Sequence, residues 1–85
     1  MSQLSAELSR LPKTELQVYL ACLNRPLTLR EIADPSDYDR LTTLGFLTSL
    51  RERGLLIVLG VSGEPTFSSV ADDDCRGLVA QKVWR

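Results

Sequence analysis

Apolar residues recur at every third or fourth position through the first part of the chain, the spacing of a helix with one buried face. This spacing predicts a first helix over 2–10 and a second helix over 12–24. Pro12 suits the first turn of the second helix, and Pro26 follows its end. The apolar face of the second helix comprises Leu16, Tyr19, Leu20 and Leu23.

Two further helices follow, and sequence signals mark their ends. Thr28 and Glu31 form a capping box, in which each side chain can bond the backbone N–H of the other residue. The short helix that begins there stops at the turn-rich stretch 34–37, and a longer helix is predicted from about 37 to 53. Gly54 can supply the left-handed residue that ends many helices. The candidates for the N-cap of the longer helix are Ser36 and Asp37.

The last third of the chain predicts a β-hairpin and a final helix. Residues 55–59 are all aliphatic, residues 66–70 alternate, and glycine and proline lie between the two runs. Three consecutive aspartates at 72–74 suit the start of a C-terminal helix over about 71–85. The expected fold class is therefore mainly α with a β-hairpin, in one domain that spans 1–85.

The order of helix, short helix, turn, longer helix and hairpin is that of a winged helix-turn-helix, an α+β fold. The helix-turn-helix would occupy about 27–54 and the hairpin, or wing, about 55–70. Three sequence blocks strengthen this interpretation, because they resemble segments of TrmB-like and MarR-like transcriptional regulators. The three blocks are E-L-Q-V-Y-L-A-C-L over 15–23, L-T-L-R-E-I-A over 27–33 and L-R-E-R-G-L-L over 50–56.

The resemblance implies a DNA-binding surface on the longer helix. In such regulators this helix enters the major groove with its N-terminal half, and the wing contacts the DNA backbone or the minor groove. The positions that would face the groove are Asp39, Arg40, Leu41, Thr42, Leu44, Gly45 and Thr48. The side chains expected to bond bases or phosphates are Arg40, Thr42 and Thr48, with Arg30 on the preceding short helix.

Several of these positions also allow a different interpretation. Arg40 could instead be a solvated charge paired with Asp37 or Asp39. Leu41 and Leu44 could form an exposed face for a protein partner, or they could pack into the core against a terminal helix. The predicted wing has no lysine or arginine that could contact a phosphate.

Composition narrows the range of functions. The chain has 85 residues, a net charge of −1, no histidine and two cysteines that are far apart in sequence. These residues assemble no nucleophile–base pair, phosphate loop or metal cluster, so we expect neither an enzyme nor a bound cofactor or metal. No apolar run is long enough to cross a membrane, and we expect a cytoplasmic protein. With a net charge of −1, the chain also has no general excess of cationic side chains to bind the phosphates of a nucleic acid.

Two functions follow as hypotheses. The first is a small transcriptional regulator that binds double-stranded DNA as a homodimer. Its N-terminal and C-terminal helices would form the dimer interface, with Leu78 and Trp84 of the C-terminal helix in it. The second is a protein–protein interaction module that does not bind DNA. It would dock its partner through Leu41, Leu44 and the uncharged wing.

Overall fold

The computed structural model describes residues 2–60 and 63–81 of the chain. It contains five helices and three short strands in these residues, and the predicted helices and hairpin are confirmed. No helix in the described part of the chain combines the length and the apolar character needed to span a bilayer. In chain order the elements are α1 (Gln3–Ser9), α2 (Lys13–Asn24), β1 (Leu27–Thr28), α3 (Leu29–Ala33), α4 (Arg40–Glu52), β2 (Leu56–Leu59), β3 (Thr66–Ser69) and α5 (Asp73–Gln81).

The strands form one antiparallel sheet in the order β1-β3-β2. The hairpin of β2 and β3 is the predicted wing, and Val58 of β2 lies opposite Phe67 of β3. Strand β1 was not predicted from the sequence. It pairs with the other edge of β3 and places Leu27 opposite the same phenylalanine. The sheet therefore joins the wing to the segment between α2 and α3.

Helix α4 begins at Arg40, later than the sequence indicated. Asp39 is its N-cap, because the Asp39 carboxylate accepts a hydrogen bond of 2.7 Å from the backbone N–H of Thr42. The expectation that Ser36 or Asp37 caps this helix was wrong. Ser36 instead closes the preceding turn: its hydroxyl donates to the Ala33 carbonyl at 2.9 Å and accepts from the backbone N–H of Tyr38.

The other two local signals were correct. The Thr28 hydroxyl accepts from the backbone N–H of Glu31 at 3.1 Å, and the Glu31 carboxylate accepts from the Thr28 N–H at 3.0 Å. Gly54 follows the end of α4 with a φ of 78°, in the left-handed region that glycine adopts without a steric penalty.

The core lies between the helices and the inner face of the sheet. Tyr19 of α2 is fully buried, and its hydroxyl donates to the Val70 carbonyl at 2.9 Å. The Ser69 hydroxyl donates to the Tyr19 carbonyl at 2.6 Å, so two hydrogen bonds tie α2 to the end of β3. The apolar residues buried around this contact include Leu8, Leu16, Cys22, Leu27, Ile32, Leu47, Leu50, Leu55, Leu56, Phe67 and Cys75.

The N-cap of α4 makes the stability of the folded protein depend on pH. The hydrogen bond from the Thr42 backbone holds the pKa of Asp39 below its ordinary value. A lowered pKa in the folded state stabilises the fold above the ordinary pKa of the carboxyl group, and the contribution is lost as the pH falls through the lowered value. We expect Asp39→Asn, which retains an N-cap without a titrating charge, to lose less stability than the parent between about pH 5 and pH 2.

Urea unfolding at several pH values measures this difference. Glu31 also has a lowered pKa, mainly because of its hydrogen bond with the Thr28 backbone, so the variant keeps part of the acid dependence. Equal losses of stability in the two proteins would show that the Asp39 carboxylate does not contribute.

Candidate nucleic-acid interface

Helix α4 has one face in the core and the opposite face in solvent. Thr43, Leu47 and Leu50 are buried and anchor the helix. With 3.6 residues per turn, the positions opposite this anchor share one stripe about 100° wide. The residues of this stripe, here called the α4 stripe, are Leu41, Leu44, Gly45 and Thr48, and all four are exposed.

The two leucines of the α4 stripe do not belong to the core. The side chain of Leu41 is 80% exposed and that of Leu44 is 40% exposed. Core packing against a terminal helix is therefore wrong for both, because the periodicity of α4 turns them away from its buried face. Large apolar side chains that stay this exposed are available to an external surface.

Arg40 lies at the first position of α4, and its ion-pair partner differs from those considered for it. The guanidinium lies 3.5 Å from the carboxylate of Asp34, in the turn after α3, and not beside Asp37 or Asp39. More than half of both side chains is exposed, so the pair is screened by water and contributes little to stability. The Arg40 guanidinium can exchange this partner for a phosphate or a base at low cost.

The two threonines differ in what they can offer to a base. Thr42 is exposed, and no hydrogen bond occupies its hydroxyl within the described residues. The Thr48 hydroxyl donates to the Leu44 carbonyl at 2.9 Å, which leaves only its acceptor lone pairs free. Thr42 can therefore donate or accept, whereas Thr48 can only accept while that bond lasts.

Two further arginines, Arg30 and Arg51, lie near the exposed face of α4. Arg30 is exposed on α3 and Arg51 is exposed in the last turn of α4, and neither has a carboxylate within 4.0 Å in the part of the chain that the structure describes. Arg25, by contrast, lies 3.5 Å from Glu31. The sequence interpretation had named Arg30 and had missed Arg51. Its position in the last turn of the helix that the resemblance places in the groove could have identified it.

The wing differs from a phosphate-binding hairpin in charge and in surface. The sequence has no lysine or arginine between Arg53 and Arg76. Strand β2 lies at the edge of the sheet, and the structure exposes three consecutive apolar residues on it, Ile57, Val58 and Leu59. This exposed apolar edge was not predicted, because an all-aliphatic strand is typical of one that is buried.

The terminal helices α1 and α5 pack on each other. The backbone N–H of Ser2 donates to the Asp74 carboxylate at 2.8 Å, and Leu78 is half-buried against the core. An open groove of about 250 Å³ runs beside them, and Gly77 lies on its wall. Trp84, the other residue expected in a dimer interface, lies outside the described residues.

The two cysteines are free thiols in the core. Burial raises the pKa of Cys22 to about 11 and also raises the pKa of Cys75. Both thiols are therefore neutral and shielded at neutral pH, the opposite of what a nucleophile or a metal ligand requires.

Gly45 lies in the middle of α4, where nothing within the chain requires a glycine. A Cβ atom at this position would meet no atom within 4 Å. We expect Gly45→Ala to raise the free energy of unfolding by about 0.5–1 kcal/mol, because alanine loses less backbone entropy in a helix. Gly54→Ala is the matched control and should destabilise the protein, since Gly54 has a positive φ. Thermal unfolding of the two variants measures the sign of each change in stability. A Gly45→Ala variant that is less stable than the parent would contradict the prediction.

Comparison with known proteins supports the fold. No family model matches the sequence, and no curated protein matches it. Among solved structures, the chain is similar to an ArsR-like transcriptional regulator from Rhodococcus sp. RHA1, with a TM-score of 0.69 and 17% sequence identity. The match covers 96% of this chain and 81% of that chain. The assignment to TrmB-like or MarR-like regulators stays a prediction. The arrangement of the helices and the three-stranded sheet is that of a winged helix-turn-helix.

Proposed function

We propose that the protein is a DNA-binding transcriptional regulator that inserts α4 into the major groove. The observation that carries this proposal is the position of α4: its buried face anchors it firmly, and the α4 stripe is presented to solvent. The major groove is about 12 Å wide and admits one α-helix. The similarity in fold to a transcriptional regulator points in the same direction.

The arginines around α4 suit the phosphates that border a groove. Arg40 and Arg51 are eleven residues apart on one helix, which corresponds to about 16 Å along its axis. Arg30 lies on the adjacent helix α3. In this proposal the three guanidinium groups bind phosphates or guanine edges, and Thr42 and Thr48 bond base edges.

A single copy of this domain would bind DNA weakly. The net charge is −1, and the wing has no cation for the backbone. Two copies on one duplex would double the phosphate contacts and join two half-sites without any new contact in each subunit. We therefore propose a homodimer, with α1, α5 and the groove beside Leu78 in the interface.

DNA binding is tested by fluorescence anisotropy with labelled duplex DNA at low and at physiological salt. We expect binding that weakens with salt on a log–log slope of about −3 or steeper, because each phosphate contact releases a counterion. Arg40→Ala should weaken binding and reduce the magnitude of the slope by about 1 for each subunit. Lys13→Ala removes the same charge from the first turn of α2, outside α4 and the proposed dimer interface, and should change neither the affinity nor the slope by a comparable amount.

Equal effects of the two substitutions would show that net charge, and not the position of Arg40, determines binding. An absence of binding even at low salt would reject the regulator. That result would favour the second function, a protein–protein interaction module. The observation that supports this module is the exposed apolar edge of the wing. A protein partner would then dock on this edge and on the α4 stripe, so Leu44→Asp should abolish capture of that partner and Arg40→Ala should have little effect.

The dimer is tested by sedimentation. Gly77 is exposed in α5, and a Cβ atom there would meet no atom within 4 Å in its own subunit. We expect Gly77→Glu to convert a dimer into a folded monomer, because the new carboxylate would be buried against the partner copy. Gly77→Ala is the matched control for helix propensity and should remain a dimer. A parent protein that sediments as a monomer at tens of micromolar would reject the proposed interface.

A further inference from the structure

The α4 stripe is unusual for a surface that contacts bases, because it can form few hydrogen bonds. The side chains of Leu41 and Leu44 are purely hydrocarbon, and Gly45 has no side chain. Thr48 has its hydroxyl proton engaged by the Leu44 carbonyl. The surface that fits this stripe must therefore present apolar groups to it.

The charges around the α4 stripe indicate which apolar surface this is. The centre of the stripe is neutral, and Arg40 and Arg51 lie towards the two ends of the helix. The major groove is likewise without formal charge at the base edges and anionic at both borders. Arg51 and, once it leaves Asp34, Arg40 can meet these borders, and Asp37 and Asp39, just before the helix, oppose a phosphate at that end.

Thymine is the base that has an apolar group in the major groove. Its C5-methyl group projects into the groove, and the other base edges there present hydrogen-bond donors and acceptors. A leucine side chain can stabilise a complex by removing that methyl group from water, and it cannot bond the polar edges. We infer that Leu41 and Leu44 recognise thymine methyl groups and give the protein a preference for A·T pairs, an inference that rests on the proposed function.

The spacing of the two leucines sets the pattern of the preferred site. Residues three positions apart on a helix have Cβ atoms about 5–6 Å apart. Successive base pairs are about 3.4 Å apart along the duplex, so the leucines reach thymines one or two steps from each other.

Gly45 lies beside both leucines and permits this close approach. A side chain at position 45 would extend from the same stripe into open space and would hold the helix away from the bases. The stripe therefore favours contact with bases through the two leucines over contact through a longer side chain between them.

The test removes the methyl group alone. Deoxyuridine differs from thymidine only by the absence of the C5-methyl group. Two A·T-rich duplexes of about 24 base pairs, long enough for two half-sites one helical turn apart, would be compared: one with thymine and one with uracil at every such position. We expect the parent protein to bind the thymine duplex more tightly, on the order of fourfold for each methyl group contacted.

The variants assign this preference to the leucines. Leu41→Ala and Leu44→Ala should each lower the preference by about fourfold for each methyl group that is no longer contacted. The double variant should bind the two duplexes with nearly equal affinity. Ile57→Ala, which shortens an exposed apolar side chain on the wing, should keep the preference of the parent protein. A G·C duplex provides an independent check, because replacing cytosine by 5-methylcytosine places a methyl group at the same position in the groove and should strengthen binding.

The outcomes separate this inference from the function on which it rests. Salt-dependent binding with equal affinity for thymine and uracil duplexes would overturn methyl recognition and leave the regulator standing. A preference that survives both leucine substitutions, or that Ile57→Ala also abolishes, would overturn its assignment to the α4 stripe. An absence of binding to every duplex would overturn both proposals and favour the protein-docking function.

Discussion

The contact between Tyr19 and the end of β3 joins the two halves of this small domain. The tyrosine is fully buried, and its hydroxyl and its backbone carbonyl both bond residues about fifty positions further along the chain. Burial of a hydroxyl without a partner would be costly, so this geometry strongly favours one placement of the strand against α2. The position of the wing beside α4, and hence the shape of the proposed interface, depends on this contact.

Much of the fold could be predicted because its signals are local. Thr28 and Glu31 are three positions apart and can cap a helix only in the way they do, and Gly54 occurs where a left-handed residue is needed. Strand β1 could not be found in this way, since it is two residues long and exists only through its pairing with β3. The start of α4 was misjudged because Ser36, Asp37 and Asp39 can all cap a helix. The choice among them depends on the geometry of the turn.

The candidate site was predictable in position but not in detail. Sequence resemblance indicated which residues of α4 would face outwards, and the exposure of Leu41 and Leu44 agrees with that register. Periodicity could not decide this question, because apolar residues occur on both faces of the helix. The ion pair between Arg40 and Asp34 could not be predicted from the sequence either, because it depends on the path of the turn between α3 and α4. Exposure of the aliphatic strand β2 follows from its place at the sheet edge, which only the tertiary structure defines.

Thr28 is both the last residue of β1 and the N-cap of α3. No linker separates the sheet from the helix-turn-helix at this point, and the same residue lies opposite Thr66 in the wing. The hairpin and the start of α3 therefore belong to one hydrogen-bonded unit, and the orientation of α3 is set by the sheet as well as by the core.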